Sequence, residues 1–181
     1  MSEKIQEKIE NRIIDFINLN AGGRLIVLKS KELGIDTNLV IKKKGDYEAP
    51  KTETPENKNI VKARIFGVSK KKNINEVYLS VNGQAKTTDN NLFSKEINLE
   101  NFDESKNIYF IFVFFNVLKQ DIEENICILS LKQIKDKADL VKENIFKIES
   151  FLSKNKKDKY SEFLFDKKEI SRFFINIISP T

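Results

Sequence analysis

Histidine is absent from this chain and cysteine occurs once, so the side chains left to do chemistry are carboxylates and lysines. Without histidine neither a Ser-His-Asp nor a Cys-His nucleophile can be assembled, and a single thiol cannot build a thiolate zinc site. Any bound metal must be a hard cation held by carboxylates and carbonyls, which points to magnesium, manganese or calcium. One pair of segments suits such an ion. Gly34-Ile35-Asp36 brings an acid to the entry of one expected strand, and Ile60-Val61-Lys62 carries an ammonium on the next. Metal-dependent phosphodiester cleavage uses both groups: a carboxylate holds the cation at the scissile phosphate, and an ammonium stabilises the charge that develops there. A turn acid and a strand lysine are common, however, and their spacing alone is a weak signal.

Around these strands lie Lys42, Lys43, Lys44, Lys62, Arg64, Lys70, Lys71 and Lys72. Clustered cations of this kind neutralise phosphates and bind nucleic acid with steep salt dependence. The plainer reading is a row of solvated strand ends that discourages edge pairing. A net charge of +5 with both signs interspersed is compatible with either. Tyr109, Phe110, Phe112, Phe114 and Phe115 form an aromatic group, but they lack basic neighbours and read as core rather than as a base-stacking platform. Cys127 sits in the apolar run Ile126–Leu131 and reads as a buried structural thiol. Ala21-Gly22-Gly23 lacks the lysine and spacing of a phosphate-binding loop.

The elements that must position these groups centre on the stretch Asn107 to Ile134. Ile108–Phe115 is the most apolar run in the chain, and after Lys119-Gln120-Asp121 a second run follows at Ile126–Leu131. The pattern predicts two adjacent strands, the first covered on both faces. Ile5, Ile9, Ile13, Phe16 and Ile17 recur at helical spacing behind Ser2, and Ala21-Gly22-Gly23 ends that helix. Arg24–Lys29 is a short strand or a further helical turn, and Lys31–Gly34 is a turn. Asn38–Lys43 reads as a strand, Glu48–Asn57 as an exposed loop, Lys58–Val68 as a strand and Ser69–Asn73 as a basic turn. Glu76–Asn82 reads as a strand ending at Asn82-Gly83, and residues 84–106 as loop-rich with an extended piece near Ile97 and Leu99. Lys132–Ala138 reads as a helix, Phe146–Leu152 as strand or loop, and Lys154–Lys159 as a charged linker. Asp166 is expected to cap a last helix, with Glu169 at the capping-box position and Pro180 at its end. The length suits a single domain, 1–181, with an N-terminal helix (1–20), a sheet core (21–140) and a C-terminal helical tail (160–181). The N-terminal segment MSEKIQEKIENR has no apolar core of a signal peptide, and no run is long enough to span a bilayer. A cytoplasmic location is the expectation.

The order helix, GID-x-x-LVIKKKGDY, variable loop, IVKAR, long connector, YFIFVFFN and a further strand resembles small bacterial proteins of the restriction-endonuclease-like superfamily, the PD-(D/E)xK nucleases. The likeness covers roughly residues 20–140. It implies an α+β (α/β) fold with a mixed central β-sheet flanked by helices. Lys62 then takes the motif lysine, and Asp36 the metal-binding and catalytic aspartate. Ile60 replaces the acid or amide two places before the lysine and cannot bind a metal. Spacing back from Lys44-Gly45 instead puts Asn38 at the position of the metal carboxylate, which would remove a second ligand. Glu56 is a conjectured substitute, and Glu7 or Glu10 can offer the helix carboxylate that some relatives use.

The expectation is therefore a nucleic-acid-associated protein of a defence or DNA-maintenance system, on a nuclease-like fold with impaired or lost catalysis. If active, it is a metal-dependent phosphodiesterase (an endonuclease) using Mg2+ or Mn2+. The phosphate-binding candidates are Lys42, Lys43, Lys44, Arg64, Lys70, Lys71 and Lys72. The alternative is a non-enzymatic protein-interaction module on the same scaffold. Partners are then nucleic acid (DNA ahead of RNA), an unidentified protein or a second copy of the chain, with no membrane. The position of the cations separates the two readings, since a nucleic-acid binder gathers them and an interaction module scatters them.

Overall fold

The computed structural model describes residues 3–30, 38–46, 76–86 and 92–179. The expected turn at Lys31–Gly34, loop at Glu48–Asn57, strand at Lys58–Val68 and basic turn at Ser69–Asn73, together with Pro180, lie outside the described residues. Within them the order is α1 (Glu3–Asn20), β1 (Leu25–Lys29), β2 (Leu39–Lys43), β3 (Glu76–Lys86), β4 (Phe93–Asn98), β5 (Ile108–Asn116) and β6 (Asp121–Ser130). There follow α2 (Leu131–Lys137), β7 (Asp139–Lys142), β8 (Ile145–Ser150), β9 (Leu164–Asp166) and α3 (Ile170–Ile178). The fold is mixed α+β. A six-stranded mixed sheet runs β1-β2-β3-β5-β6-β9, and a three-stranded sheet runs β4-β8-β7. Among the described strands only β3 and β5 are parallel neighbours; the other described pairs are antiparallel. A parallel pair needs a crossover, and here the chain makes it by way of β4 in the second sheet.

The aromatic run forms β5, and both of its faces are covered as its composition predicts. Ile111, Val113 and Phe115 point to a core shared with Ile9, Ile13 and Ile17 of α1 and Ile170, Phe174 and Ile178 of α3. Phe110, Phe112 and Phe114 point the other way, to a core closed by Phe93, Ile148, Leu152, Ile134 and Tyr160. Edge-to-face contacts of Phe93 with Phe112 and Phe114, at 5.6 and 5.7 Å between ring centroids, order that second core. Cys127 is fully buried there, and burial, with Asp158 nearby, pushes its thiol well above the ordinary range. It is a packing residue.

Where the chain departs from the sequence reading, the causes are local. α1 ends as expected, with Gly22 and Gly23 at φ 56° and 73°, and Arg24–Lys29 resolves as a strand, β1. Asn82-Gly83 does not end β3, which continues to Lys86. Gly83 instead admits the side chain of Ile9, because a Cβ built there would stand 2.1 Å from Ile9 Cδ1. Asp166 caps a 3-10 turn at Lys167–Glu169 by accepting from the Lys168 backbone N–H, and Glu169 makes no capping bond to α3. The capping box lies at α2, where Ser130 and Gln133 cap each other's backbone. Phe146–Leu152 resolves as β8, and β7 was not anticipated at all. The C-terminal segment supplies a strand as well as a helix, since β9 pairs with Asn125–Cys127 of β6. No helix among the described residues is long and apolar enough to cross a membrane.

Candidate functional site

Asp36, Ile60, Lys62, Glu56, Arg64, Lys70, Lys71 and Lys72 lie outside the described residues. Asn38, Lys42, Lys43, Lys44, Glu7 and Glu10 lie within them. Asn38 and Glu10 meet. Asn38 precedes β2 and donates from Nδ2 to Glu10 Oε1 at 3.0 Å, while its Oδ1 accepts the Val81 backbone N–H at 2.8 Å. Gln6, one turn before Glu10 on α1, donates to the same Oε1 at 3.0 Å and to the Val81 carbonyl at 2.9 Å. Glu10 is buried, and its bonds to Gln6 and Asn38 replace those it would make to water. The Asn38 backbone continues the ladder, donating to Leu79 and accepting from Ser30. Both polar atoms of the Asn38 amide thus join α1 to β3, with Ile9 wedged at Gly83 beside them. Glu7 is exposed. Both edges of β2 are occupied, by β1 and β3. Among the described residues no group of acids, cysteines or histidines is placed to hold a metal ion.

A subset of the described cations shares one end of the central sheet. Strand directions bring the start of β1, the end of β2, the starts of β3 and β5 and the end of β6 to one end of the central sheet: Leu25 pairs with Lys43, Lys42 with Glu76, Tyr78 with Ile108 and Tyr109 with Ser130. Arg24, Lys42, Lys43 and Lys44 therefore share that end with Lys106, just before β5, and with Lys132 and Lys135 on α2. Against them stand Glu76, Asp103 and Glu104. Lys43, Lys44, Lys132 and Lys135 are exposed. Lys42 bonds Glu76 at 2.7 Å, and Tyr78 donates its phenol to the same carboxylate at 2.6 Å. Burial acts to raise the Glu76 pKa, but the bonds from Lys42 and Tyr78 outweigh it and hold the carboxyl below its ordinary value. Burial, and then the bond to Glu76, push the Tyr78 phenol upward. Lys106 stands over the Tyr78 ring at 5.1 Å from its centroid.

Next to these groups a cavity of about 380 Å³ opens between the start of β5 and α2, lined by Lys106, Asn107, Tyr109, Ser130, Lys132 and Lys135 among others. Sequence reasoning named Lys42–Lys44 but missed Lys106, Lys132 and Lys135. The signal was the strand pair itself, because a hairpin joining Ile108–Phe115 to Ile126–Leu131 sets the residues before its first strand beside those after its second. At the opposite end a cavity of about 320 Å³ mixes Lys86, Lys119 and Lys156 with Glu123 and Glu124. Its charges largely offset, with Lys86 3.9 Å from Glu123.

Compared with protein-family models, curated proteins and solved structures, the chain shows no match to any of them.

Proposed function

We propose that the chain is a nucleic-acid-binding protein, with DNA as the favoured ligand, built on a restriction-endonuclease-like scaffold whose catalytic site is impaired. The observation that carries the binding half is the gathering of Arg24, Lys42–Lys44, Lys106, Lys132 and Lys135 at one end of the central sheet, from segments far apart in sequence. The pairing of the strands brings these segments together, and there the cations outnumber Glu76, Asp103 and Glu104, a surplus that a polyanion rewards. At about 4.8 Å between neighbouring strands, the four steps from β1 to β6 span roughly 19 Å, enough to follow several phosphates. The scaffold half rests on the resemblance itself, of whose ordered elements α1, β2, β5 and β6 lie within the described residues and the IVKAR strand lies outside them. Impaired catalysis rests on Ile60 at the motif's acid position and on an Asn38 amide already committed to Glu10 and Val81.

The test is retention of single-stranded and duplex DNA across a salt series, with Mg2+ or Mn2+ present so that cutting is scored in the same gel. The expected result is retention that falls steeply with salt, no cutting, and a salt slope reduced by about one for each of Lys43→Ala and Lys44→Ala. Retention that ignores both salt and these substitutions overturns the binding assignment. Attention would then pass to β7, whose residues are all exposed, with Leu140 at 65% and Val141 at 44%. Cutting lost on Asp36→Ala and Lys62→Ala would overturn the impaired-site assignment.

A further inference from the structure

We infer that the cavity between β5 and α2 receives the terminal phosphate of a DNA strand, so that the basic end of the sheet binds strands by their ends. The inference rests on the nucleic-acid reading above and specifies what this cavity holds. Size is the first observation: about 380 Å³ falls in the range of small-ligand sites and suits one nucleotide, not a stretch of strand. Charge is the second. Lys106, Lys132 and Lys135 line the cavity with Glu104 as its acid, and Glu104 is already bonded to Lys135. An internal phosphodiester carries one negative charge, whereas a terminal phosphomonoester carries about −1.5 to −2 near pH 7. Three ammonium groups around one carboxylate match the monoester.

Donor chemistry is the third observation. Ser130 Oγ accepts the Gln133 backbone N–H at 3.2 Å, which leaves its O–H to donate, and Asn107 adds an amide to the same wall. Placement is the fourth. The cavity lies at the β6 side of the basic end, while Arg24, Lys43 and Lys44 lie at the β1 side. A strand anchored here by its end would be led across the sheet past Lys42 toward Lys43 and Lys44.

The experiment compares one oligodeoxynucleotide sequence with a 5′-phosphate, a 3′-phosphate or hydroxyls at both ends, and uses free deoxynucleoside monophosphate as competitor. One phosphorylated form should bind roughly tenfold more tightly than the hydroxyl-ended strand. Lys132→Ala and Lys135→Ala, both at exposed positions, should abolish that preference in addition to weakening every strand as the loss of one phosphate contact does. Lys43→Ala should weaken all three strands alike. Equal binding of the three overturns the inference and leaves the nucleic-acid reading intact, whereas retention of none removes both. A monophosphate that binds as tightly as the phosphorylated strand overturns the strand-end assignment in favour of a free mononucleotide site.

Discussion

Replacing Asn38 by aspartate tests the junction of α1 with the sheet and the position where a metal carboxylate would be expected. In Asn38→Asp the donor to Glu10 Oε1, now at 3.0 Å, becomes an oxygen. Losing a hydrogen bond to a charged acceptor costs about 1.5–3 kcal/mol. Two unit charges about 4 Å apart add roughly 4 kcal/mol of repulsion at an effective dielectric constant of 20. A proton limits the sum, because a protonated aspartate can again donate to Glu10. Taking up that proton at pH 7 costs about 4 kcal/mol against an unfolded carboxyl near pH 4. The expected deficit relative to the unaltered chain is therefore about 2–4 kcal/mol at pH 7. The sign with pH follows. The folded variant retains a proton that its unfolded chain has released, so its relative stability is greatest below about pH 4 and is lost as pH rises. Urea unfolding followed by circular dichroism from pH 4 to pH 8 measures this, with a midpoint lowered by roughly 1–2 M at neutral pH. A deficit under about 0.5 kcal/mol at pH 7, or one that does not change with pH, would show that the Asn38–Glu10 bond does not hold α1 in place.

Two further expectations follow. Gly83→Ala should destabilise by about 1–3 kcal/mol through overpacking against Ile9. In an Ile9→Val background, which removes the Cδ1 atom, the same change should cost at least 1 kcal/mol less; equal costs in a double-mutant cycle would refute the contact. Glu76→Gln should lower stability by about 1–2 kcal/mol at neutral pH, because the folded carboxyl lies below its unfolded value and contributes only where it is ionised. That loss should narrow as urea titrations are carried below about pH 4, and a loss that widens there would refute the assignment.

What the sequence disclosed follows from how much of each element its own residues determine. β5 and β6 were readable because an unbroken aromatic and β-branched run has few other places to go than between two layers. β2 and α1 were readable from short-range patterning in the same way. The end of β3 was not, since Asn82-Gly83 has the chemistry of a turn and only the arrival of Ile9, from the far end of the chain, makes glycine necessary inside a strand. Asp166 and Glu169 have capping-box spacing, yet the chain makes a 3-10 turn first and the box forms at Ser130 and Gln133. β7 has four exposed residues and no alternation from which to read a strand. The basic end was half legible: Lys42, Lys43 and Lys44 are contiguous, but Lys106 and Lys132 become neighbours only through the Tyr109–Ser130 pairing. The engagement of Asn38 with Glu10 likewise depends on how α1 crosses the sheet, which no local pattern records.

The two cores meet across the paired strands β5 and β6, and this bears on how the molecule comes apart. Side chains of β5 alternate between them, Phe110, Phe112 and Phe114 to one and Ile111, Val113 and Phe115 to the other. A slip of one residue would send the aromatic set into the space shaped for the aliphatic set, so neither layer can loosen β5 without disturbing its opposite. Neither layer is then free to melt alone, and the slowest-exchanging amides should be those of β5 and its partners β3 and β6. The C-terminal segment reinforces the coupling, because Tyr160 closes one core while Ile170, Phe174 and Ile178 close the other. During synthesis neither core could close fully until residues 160–178 had emerged, since each draws side chains from that segment.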